Sequence, residues 1–379
     1  MKGKQGLVCM GLLLVLSSCS CHTGKQITAS GLQRKDFQTE VNGQHTDLFT
    51  LSNKQGMEVC ITNYGARVVS ILVPDRNGKR EDVVCGFSTI TEYMEQRQNF
   101  GSTVGRYIGR ILNARFTLDG VEYKLVPNNG KSGHISHGGN PGFADRIWKV
   151  EQADTHRVRL SYLSPDGENG FPGNLKVTLV YSLGEDDNAL DLTYEATTDA
   201  PTVLNLSHHS FFNISGNFTK SVEDQQLWVD ADRFTPHDDK KCVTGEYLPV
   251  AGTPLDFRMP HTIGECIDAD HPQLKVVNGY DHTWELNTKG DDTRPAAWVY
   301  DPASGRKMEI FTTEPGMQIY TGNGLKGKMT GKGGIAYPFR SAVCFETMHF
   351  QDSPNQPGFP STVLRPGEVF RSHTVYKFE

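Results

Sequence analysis

The chain lacks an excess of positive charge, because 38 Lys and Arg residues stand against 44 Asp and Glu, for a formal net charge of −6. Proteins that bind nucleic acid through its phosphates need clustered cations, so we expect no nucleic-acid partner. Charged residues make up 22% of the chain and hydrophobic residues 37%. That balance is typical of a globular protein and excludes a largely disordered one.

Metal-binding and disulfide patterns of cysteine are also missing. Beyond residue 35 the cysteines are odd in number and scattered, with no C-x-x-C pair: Cys60, Cys85, Cys242, Cys266 and Cys344. This spacing predicts neither a zinc site nor a disulfide framework. Cys60 and Cys344 lie in apolar strand patterns, so we interpret them as buried thiols.

Two histidine pairs do not change the expectation that the protein holds no metal. The i,i+3 spacing of His134 and His137 brings two ligands together only on a helix. His208 and His209 are adjacent, and neighbouring residues of a strand point to opposite faces.

Long hydrophobic runs are absent except at the amino terminus. The run Leu7–Leu16 is too short to span a bilayer and follows two lysines, as in a secretory signal. It leads into Leu-Ser-Ser-Cys ending at Cys19, which resembles a bacterial lipobox. We therefore predict a lipoprotein signal peptide over residues 1–18, a lipid on Cys19 and a polar flexible tether over residues 19–35. A plain secretory signal cut near Ser20 is the alternative.

This address predicts an exported protein, held by its lipid anchor on the periplasmic side of a membrane. Whether that membrane is the inner or the outer one stays open, because no acidic run follows Cys19.

Helical periodicity is scarce, whereas period-two alternation recurs along the chain. The segment from Phe116 to Leu125 turns at Asp119-Gly120, a strong hairpin signal. Leu175–Ser182 and Leu190–Ala196 alternate apolar and polar residues, and only Thr91–Arg97 suggests a short helical turn. We predict an all-β fold with very little helix: one antiparallel domain over residues 36–379 whose sheets pack face to face.

A few polar residues stand in apolar company. His208 and His209 interrupt an apolar stretch, and Glu346 follows the apolar run Ala342–Phe345. Unpaired polar groups are costly in such places. An imidazole and a carboxylate there form either a satisfied core pair or a catalytic acid–base couple, and the residues alone leave both readings open.

Six motifs in order resemble those of the aldose 1-epimerase (galactose mutarotase) family. They are Val104-Gly-Arg-Tyr-Ile-Gly-Arg110-Ile, His137-Gly-Gly, Asn205-Leu-Ser-His-His209-Ser-Phe-Phe-Asn213, Asn278-Gly-Tyr-Asp281-His282, Gln318-Ile-Tyr-Thr-Gly-Asn323 and Cys344-Phe-Glu346-Thr, the last followed by Asn355-Gln-Pro357. The resemblance covers about Asp36 to Glu379. It implies a β-supersandwich that interconverts the α and β anomers of a hexopyranose, a small-molecule aldose, without a metal or other cofactor. We expect a monomer or a weak dimer.

Position by position, the resemblance makes Glu346 the general base and His209 the general acid. It makes Arg110, His137 and Asp281 the residues that hold the hydroxyls and ring of the sugar, with Gln318 lining the site. Opening a hemiacetal needs one group to take the proton of the C1 hydroxyl and another to protonate the ring oxygen. We expect Glu346 to be ionised and a neighbouring carboxylate to raise the pKa of His209.

Two positions depart from the family pattern and leave the preferred sugar open. Gly109 stands where the family commonly has Asn, and His208 stands where Asn often precedes the catalytic histidine.

Three other functions compete with this interpretation. A glycoside hydrolase usually needs two carboxylates about 5–9.5 Å apart, whereas the motifs pair one Glu with one His. A carbohydrate-binding protein without activity would have no need for an intact acid–base pair. An epimerase of phosphorylated hexoses fits poorly with the export signal and the net negative charge.

Overall fold

The computed structural model describes residues 26–379. The predicted signal peptide, Cys19 and residues 19–25 of the predicted tether lie outside the described residues. Residues 26–35, also assigned to the tether, pack on the domain instead: Leu32 is buried and the Ala29 N–H donates to the Glu58 carboxylate at 2.6 Å. The polar composition concealed this packing because the segment buries few side chains. No helix in the described part is long and apolar enough to cross a membrane.

The described residues form 29 short strands. In chain order they are β1 (Glu40–Val41), β2 (Gln44–His45), β3 (Leu48–Ser52), β4 (Glu58–Thr62), β5 (Arg67–Pro74), β6 (Arg80–Asp82), β7 (Ser102–Val104), β8 (Arg110–Ile111), β9 (Arg115–Leu118), β10 (Val121–Lys124), β11 (Ile135–Ser136), β12 (Lys149–Ala153), β13 (Arg157–Ser164), β14 (Leu175–Leu183), β15 (Ala189–Thr198), β16 (Thr202–Val203), β17 (Ser207–His209), β18 (Phe211–Phe212), β19 (Gln226–Val229), β20 (Arg233–Thr235), β21 (Leu248–Pro249), β22 (His261–Thr262), β23 (Asp281–Glu285), β24 (Ala297–Tyr300), β25 (Lys307–Thr312), β26 (Gly316–Tyr320), β27 (Val343–Met348), β28 (Val363–Leu364) and β29 (Phe370–Phe378).

Helices are few in the same residues. Two α-helices, α1 (Ile90–Gln96) and α2 (Pro272–Val277), are accompanied by 3-10 turns at Arg34–Phe37, Leu112–Ala114, Gly130–Ser132, Phe143–Asp145, Glu168–Gly170, Lys332–Gly334 and Ser353–Asn355. The sequence predicted the first α-helix, which begins at a capping box formed by Thr89 and Glu92.

Three larger sheets organise the fold. A nine-stranded sheet runs β12-β13-β14-β15-β29-β25-β24-β19-β22, a six-stranded sheet runs β18-β27-β26-β23-β20-β21, and a four-stranded sheet runs β3-β4-β5-β6. Their strand pairs are antiparallel, as the alternation predicted. The predicted hairpin is confirmed too, since Val121 pairs with Leu118 across Asp119-Gly120.

The main core lies between the nine-stranded sheet and the other two. In β14 buried residues alternate with half-buried or exposed ones, so one face of that strand, including Leu179, enters the core. Strand β27 is buried along its whole length. Its Val343 and Phe345 join the main core, which leaves Cys344 and Glu346 on the opposite face of the same strand.

Candidate active site

A polar cavity of about 260 Å³ opens on that opposite face of the six-stranded sheet. Its size is slightly below the usual range for small-molecule sites, about 300–1,000 Å³. The lining residues are Gln98, Asn99, Gly109, Arg110, Ser136, His137, His209, Phe211, Asp281, Gln318, Tyr320, Glu346, Met348 and Gln351. All six residues that the sequence singled out for catalysis and sugar binding are therefore brought together here.

Strand register places three of these residues side by side. Gln318 of β26 pairs with Glu346 of β27 on one side and with Thr283 of β23 on the other. Directly opposed residues share a face of the sheet, as do residues two apart on one strand. Asp281, two residues before Thr283, consequently joins Gln318 and Glu346 on the cavity side.

His209 reaches the cavity from β17, which pairs with β7. Its neighbour His208 is not among the lining residues, because adjacent residues of a strand point to opposite faces. The His208 ring lies in the core, 2.6 Å from the Ser210 hydroxyl and 3.4 Å from the Tyr181 hydroxyl. Burial lowers the pKa of His208 to about 3, so this departure from the family pattern adds no charge beside His209.

His137 is held by a reciprocal pair of contacts with Gly109. The His137 backbone N–H donates to the Gly109 carbonyl at 2.9 Å, and the Gly109 N–H donates to His137 Nδ1 at 3.4 Å. Burial, with the charge of Arg110 as a second cause, lowers the pKa of His137 to about 4. Because Nδ1 accepts, the neutral ring carries its proton on Nε2, which can donate to a sugar oxygen.

Arg110 is half-buried at the edge of the cavity. One guanidinium nitrogen donates to the Lys241 carbonyl at 3.2 Å, and its backbone carbonyl accepts from the Asp352 N–H at 2.9 Å. These contacts fix the side chain on one side and the backbone on the other. The remaining N–H groups of the guanidinium can hydrogen-bond adjacent hydroxyls.

The Gln318 amide has a fixed orientation. Its Nε2 donates to Asp281 Oδ1 at 2.7 Å, while its Oε1 accepts from the Thr283 hydroxyl at 2.5 Å. Because the amide nitrogen bonds one oxygen of Asp281, the carboxylate is oriented and retains acceptor capacity for hydroxyls.

Glu346 and His209 form the central pair. His209 Nε2 lies 3.3 Å from Glu346 Oε1, and the two residues are only 6% and 4% exposed, respectively. Burial, followed by the negative charge of Asp281, raises the pKa of Glu346 well above its ordinary value. Burial, followed by the neighbouring His137, lowers the pKa of His209 well below its ordinary value.

The expected rise in the pKa of His209 is therefore wrong. A neighbouring carboxylate attracts the imidazolium and would raise the pKa of His209. The loss of water around a ring that is almost completely buried lowers this pKa more strongly, because desolvation disfavours the charged form of a group.

Aromatic side chains complete one wall. The Phe211 ring stacks on the His209 ring, with centroids 5.0 Å apart and planes 11° from parallel. Tyr320 lies on the cavity side as well. Trp284 is fully buried and donates to the Leu255 carbonyl, so it serves the core rather than this wall.

Several lining residues were missed by the sequence interpretation. Tyr320 stands two residues after Gln318, so strand alternation offered a signal for it. Gln98, Asn99 and Gln351 lie in irregular segments outside the named motifs, where no periodicity predicts which side chains meet.

Other prominent residues of the motifs serve the fold. Arg106 is buried and its guanidinium donates to Ser164 and to the Pro172 and Gly173 carbonyls. His282 follows Asp281 on the opposite face of β23, with its Nε2 3.1 Å from Gln273 Oε1.

One group of potential metal ligands occurs within the described residues. Ligand atoms of His209, Cys344 and Glu346 lie within 4.8 Å of one another. Burial raises the pKa of Cys344 well above its ordinary value, which disfavours the thiolate that a metal needs. Two of the three residues also form the acid–base pair, so the donor set fits a proton-transfer site better than a metal site.

Comparison with known proteins agrees with this geometry. The family model described as aldose 1-epimerase matches residues 47–377. A galactose mutarotase of Sus scrofa is 39% identical over 330 residues, covering 87% of this chain and 93% of the relative. An aldose 1-epimerase of Escherichia coli is 36% identical over 339 residues, covering 89% and 96%.

Solved structures are similar over the same span. An aldose epimerase homologue from C. elegans has a TM-score of 0.81 at 31% identity, covering 88% of this chain and 99% of the other. A galactose 1-epimerase from Lactobacillus acidophilus has a TM-score of 0.78 at 28% identity, covering 90% and 97%.

Proposed function

The chain belongs to the aldose 1-epimerase family and is an isomerase that interconverts aldose anomers, and on that premise we propose that Glu346 and His209 transfer the two protons of the reaction. One observation carries the assignment: a carboxylate and an imidazole lie 3.3 Å apart in a buried polar cavity. General acid–base catalysis needs two such groups within reach of one hemiacetal.

The reaction balances without any other reagent. Glu346 takes the proton of the C1 hydroxyl while His209 gives a proton to the ring oxygen, so the bond between C1 and the ring oxygen breaks and an aldehyde forms. The aldehyde rotates about the C1–C2 bond. On closure His209 takes the proton back from the C5 hydroxyl, and Glu346 returns its proton to O1 on the new face.

The opposed pKa shifts fit this cycle because the pair needs one proton in total. Ionised Glu346 with protonated His209 is the form that opens the ring. Neutral Glu346 with neutral His209 is the form left after opening, and burial favours it. Both forms hold the same number of protons, and a shift across the 3.3 Å contact interconverts them.

The remaining residues position the sugar. Arg110 offers N–H donors and His137 offers Nε2–H, whereas Asp281 accepts from hydroxyls and is oriented by Gln318. Donors and acceptors thus surround the cavity, as a polyhydroxylated ligand requires.

Free hexoses such as galactose or glucose are the proposed substrates. Support comes from the name galactose mutarotase carried by relatives at 39–40% identity. The test is polarimetry of freshly dissolved α-D-galactose and α-D-glucose with the purified chain. Acceleration of either equilibration above the spontaneous rate is expected. Sugar binding without acceleration across a panel of aldoses would favour a carbohydrate-binding protein, and release of nitrophenol from aryl glycosides would favour a hydrolase.

We also propose that the protein is a periplasmic lipoprotein whose Cys19 carries the lipid. Support comes from the apolar run Leu7–Leu16 and the lipobox-like residues that end at Cys19. The test is mass spectrometry of the amino-terminal peptide together with membrane fractionation, for the natural chain and for Cys19→Ser. A lipid-modified peptide and membrane recovery lost in the variant are expected. Cleavage near Ser20 without a lipid would contradict the proposal.

A further inference from the structure

Gln351 lies in space that a side chain at position 109 would otherwise occupy. A Cβ built on Gly109 would stand 2.6 Å from Gln351 Cγ and 3.1 Å from Gln351 Cδ. Real Cβ atoms do not approach other atoms that closely, so the two side chains exclude each other. Both residues line the cavity, and Gly109 has a φ of +76°.

The backbone around Gln351 is anchored. The Asp352 N–H donates to the Arg110 carbonyl at 2.9 Å, and Asp352 Oδ1 accepts from the Leu112 N–H at 3.0 Å. On the other side of Gln351, the Phe350 carbonyl accepts from the Tyr107 hydroxyl at 3.1 Å. The segment is therefore held against β8, which fixes the backbone from which the Gln351 side chain enters the cavity.

The Gln351 amide belongs to a chain of hydrogen bonds along the cavity. Its Oε1 accepts from the Arg110 backbone N–H at 3.3 Å, and its Nε2 donates to Gln318 Oε1 at 3.3 Å. Gln318 continues the chain to Asp281. Since an amide nitrogen carries two hydrogens, Gln351 has a second N–H that can donate to a ligand in the cavity.

From these contacts we propose that Gln351 is a specificity-determining residue whose amide donates to one hydroxyl of the aldose, and that glycine at position 109 is what gives it room. The inference rests on the proposed function and deepens it. Gln351 touches the sugar and takes no part in proton transfer.

The experiment pairs one protein change with single hydroxyl deletions. Mutarotation by the full chain and by Gln351→Met is measured on D-glucose and on its 2-, 3-, 4- and 6-deoxy forms, all of which keep C1–OH and can equilibrate. In the natural chain, loss of the contacted hydroxyl should lower kcat/KM about fivefold, as for one hydrogen bond. In Gln351→Met that same deletion should cost almost nothing, while the other deletions keep their cost.

Gln356→Met serves as the matched control. Gln356 lies on the same segment and its amide donates to Asp352 at 2.9 Å, but it is not among the cavity residues. This variant should keep the natural pattern across all five sugars. If Gln351→Met lowers kcat/KM equally for every sugar, or for none, Gln351 does not contact a hydroxyl and the inference fails.

Substitution at position 109 gives an independent readout. Gly109→Asn should lower both kcat/KM and Tm, because the new side chain collides with Gln351. Asparagine is chosen because it tolerates a positive φ. Adding Gln351→Ala should recover part of the lost Tm. Strictly additive effects on Tm would show that the two positions do not compete for space.

Failure of the proposed function is distinguishable from failure of this inference. If the natural chain accelerates the mutarotation of no aldose, the proposed function fails. The effects of the same protein variants and deoxy sugars are then compared through dissociation constants measured by NMR titration. A natural chain that is active with an unchanged cycle in Gln351→Met defeats the inference alone.

Discussion

His209 Nε2 lies 3.3 Å from Glu346 Oε1, and among the described residues His209 Nδ1 has no hydrogen-bond partner. Buried polar groups are normally satisfied, so each exception calls for an explanation, and titratable groups with perturbed pKa values cluster at functional sites. A pair that is buried, close together and poorly satisfied by the protein is available to a substrate that brings its own donors and acceptors.

Glu346→Gln should abolish most of the activity. The amide cannot take the proton of the C1 hydroxyl, and general acid–base groups contribute about 10²–10⁴-fold to rates. We expect kcat to fall by at least about 100-fold in polarimetry with α-D-galactose.

The matched control is Glu314→Gln. Glu314 is also a buried carboxylate beside an imidazole, with His349 Nδ1 2.7 Å from its Oε2, but it does not line the cavity. Near-natural kcat in Glu314→Gln is expected. A similar loss in both variants would mean that the effect arises from disturbed folding rather than from proton transfer.

The same substitution should stabilise the fold at alkaline pH. The folded-state pKa of Glu346 lies above its ordinary value of 4.5, so between 4.5 and the folded pKa the unfolded chain releases a proton that the folded chain keeps. Stability from this group is present below pH 4.5 and is lost as pH rises through the folded pKa. A glutamine at position 346 does not titrate, so the variant does not lose stability in this way as pH rises.

Urea unfolding from pH 4.5 to 8.5 measures this effect. The free energy of unfolding of Glu346→Gln should exceed that of the natural chain at pH 8, and the gap should close toward pH 4.5. A difference that does not vary with pH would contradict the raised pKa.

Much of the fold could be read from the sequence because its signals are local. The Asp119-Gly120 turn and the alternation of β14 depend only on neighbouring residues. Helix α2 escaped prediction because Pro272–Val277 spans only six residues, too few for a helical period to repeat. The packing of Leu32 escaped it because burial of a single side chain leaves no periodic pattern.

Within the site, the motifs predicted which residues meet but not their electrostatics. The pKa of His209 depends on how completely tertiary packing removes water from the ring, and the sequence alone does not show how deeply that ring is buried. Gln351 was missed for a related reason. It lies close to Gly109 in space, but the two residues are 242 positions apart in the sequence and no strand pair connects them.

Asp281→Asn should lower the pKa of Glu346. After burial, the negative charge of Asp281 is the next cause of the raised pKa, and the amide removes that like charge. Because the active pair needs one proton, the alkaline limb of the kcat/KM profile should move to lower pH. The overall value should fall as well, since Asp281 is proposed to hold a hydroxyl.

Glu285→Gln is the control for that profile. Glu285 lies on the same strand as Asp281 but pairs with Arg233 at 2.6 Å, outside the cavity. Its substitution should leave the alkaline limb in place. An unmoved limb in Asp281→Asn would mean that a group other than Glu346 controls the profile.

The two arginines of one motif should respond differently to lysine, because one faces the cavity and the other holds the fold. Arg110→Lys should raise KM about tenfold with a smaller change in kcat, since an ammonium group cannot reproduce the guanidinium fork. Arg106→Lys should lower the free energy of unfolding by about 2–4 kcal/mol, because several buried acceptors, including the Pro172 and Gly173 carbonyls, lose a charged donor. Its KM should stay near the natural value at temperatures where the variant is folded. Polarimetry at several sugar concentrations measures KM, and urea unfolding measures the free energy of unfolding. A raised KM in folded Arg106→Lys together with a natural KM in Arg110→Lys would reverse the assignment of the two side chains.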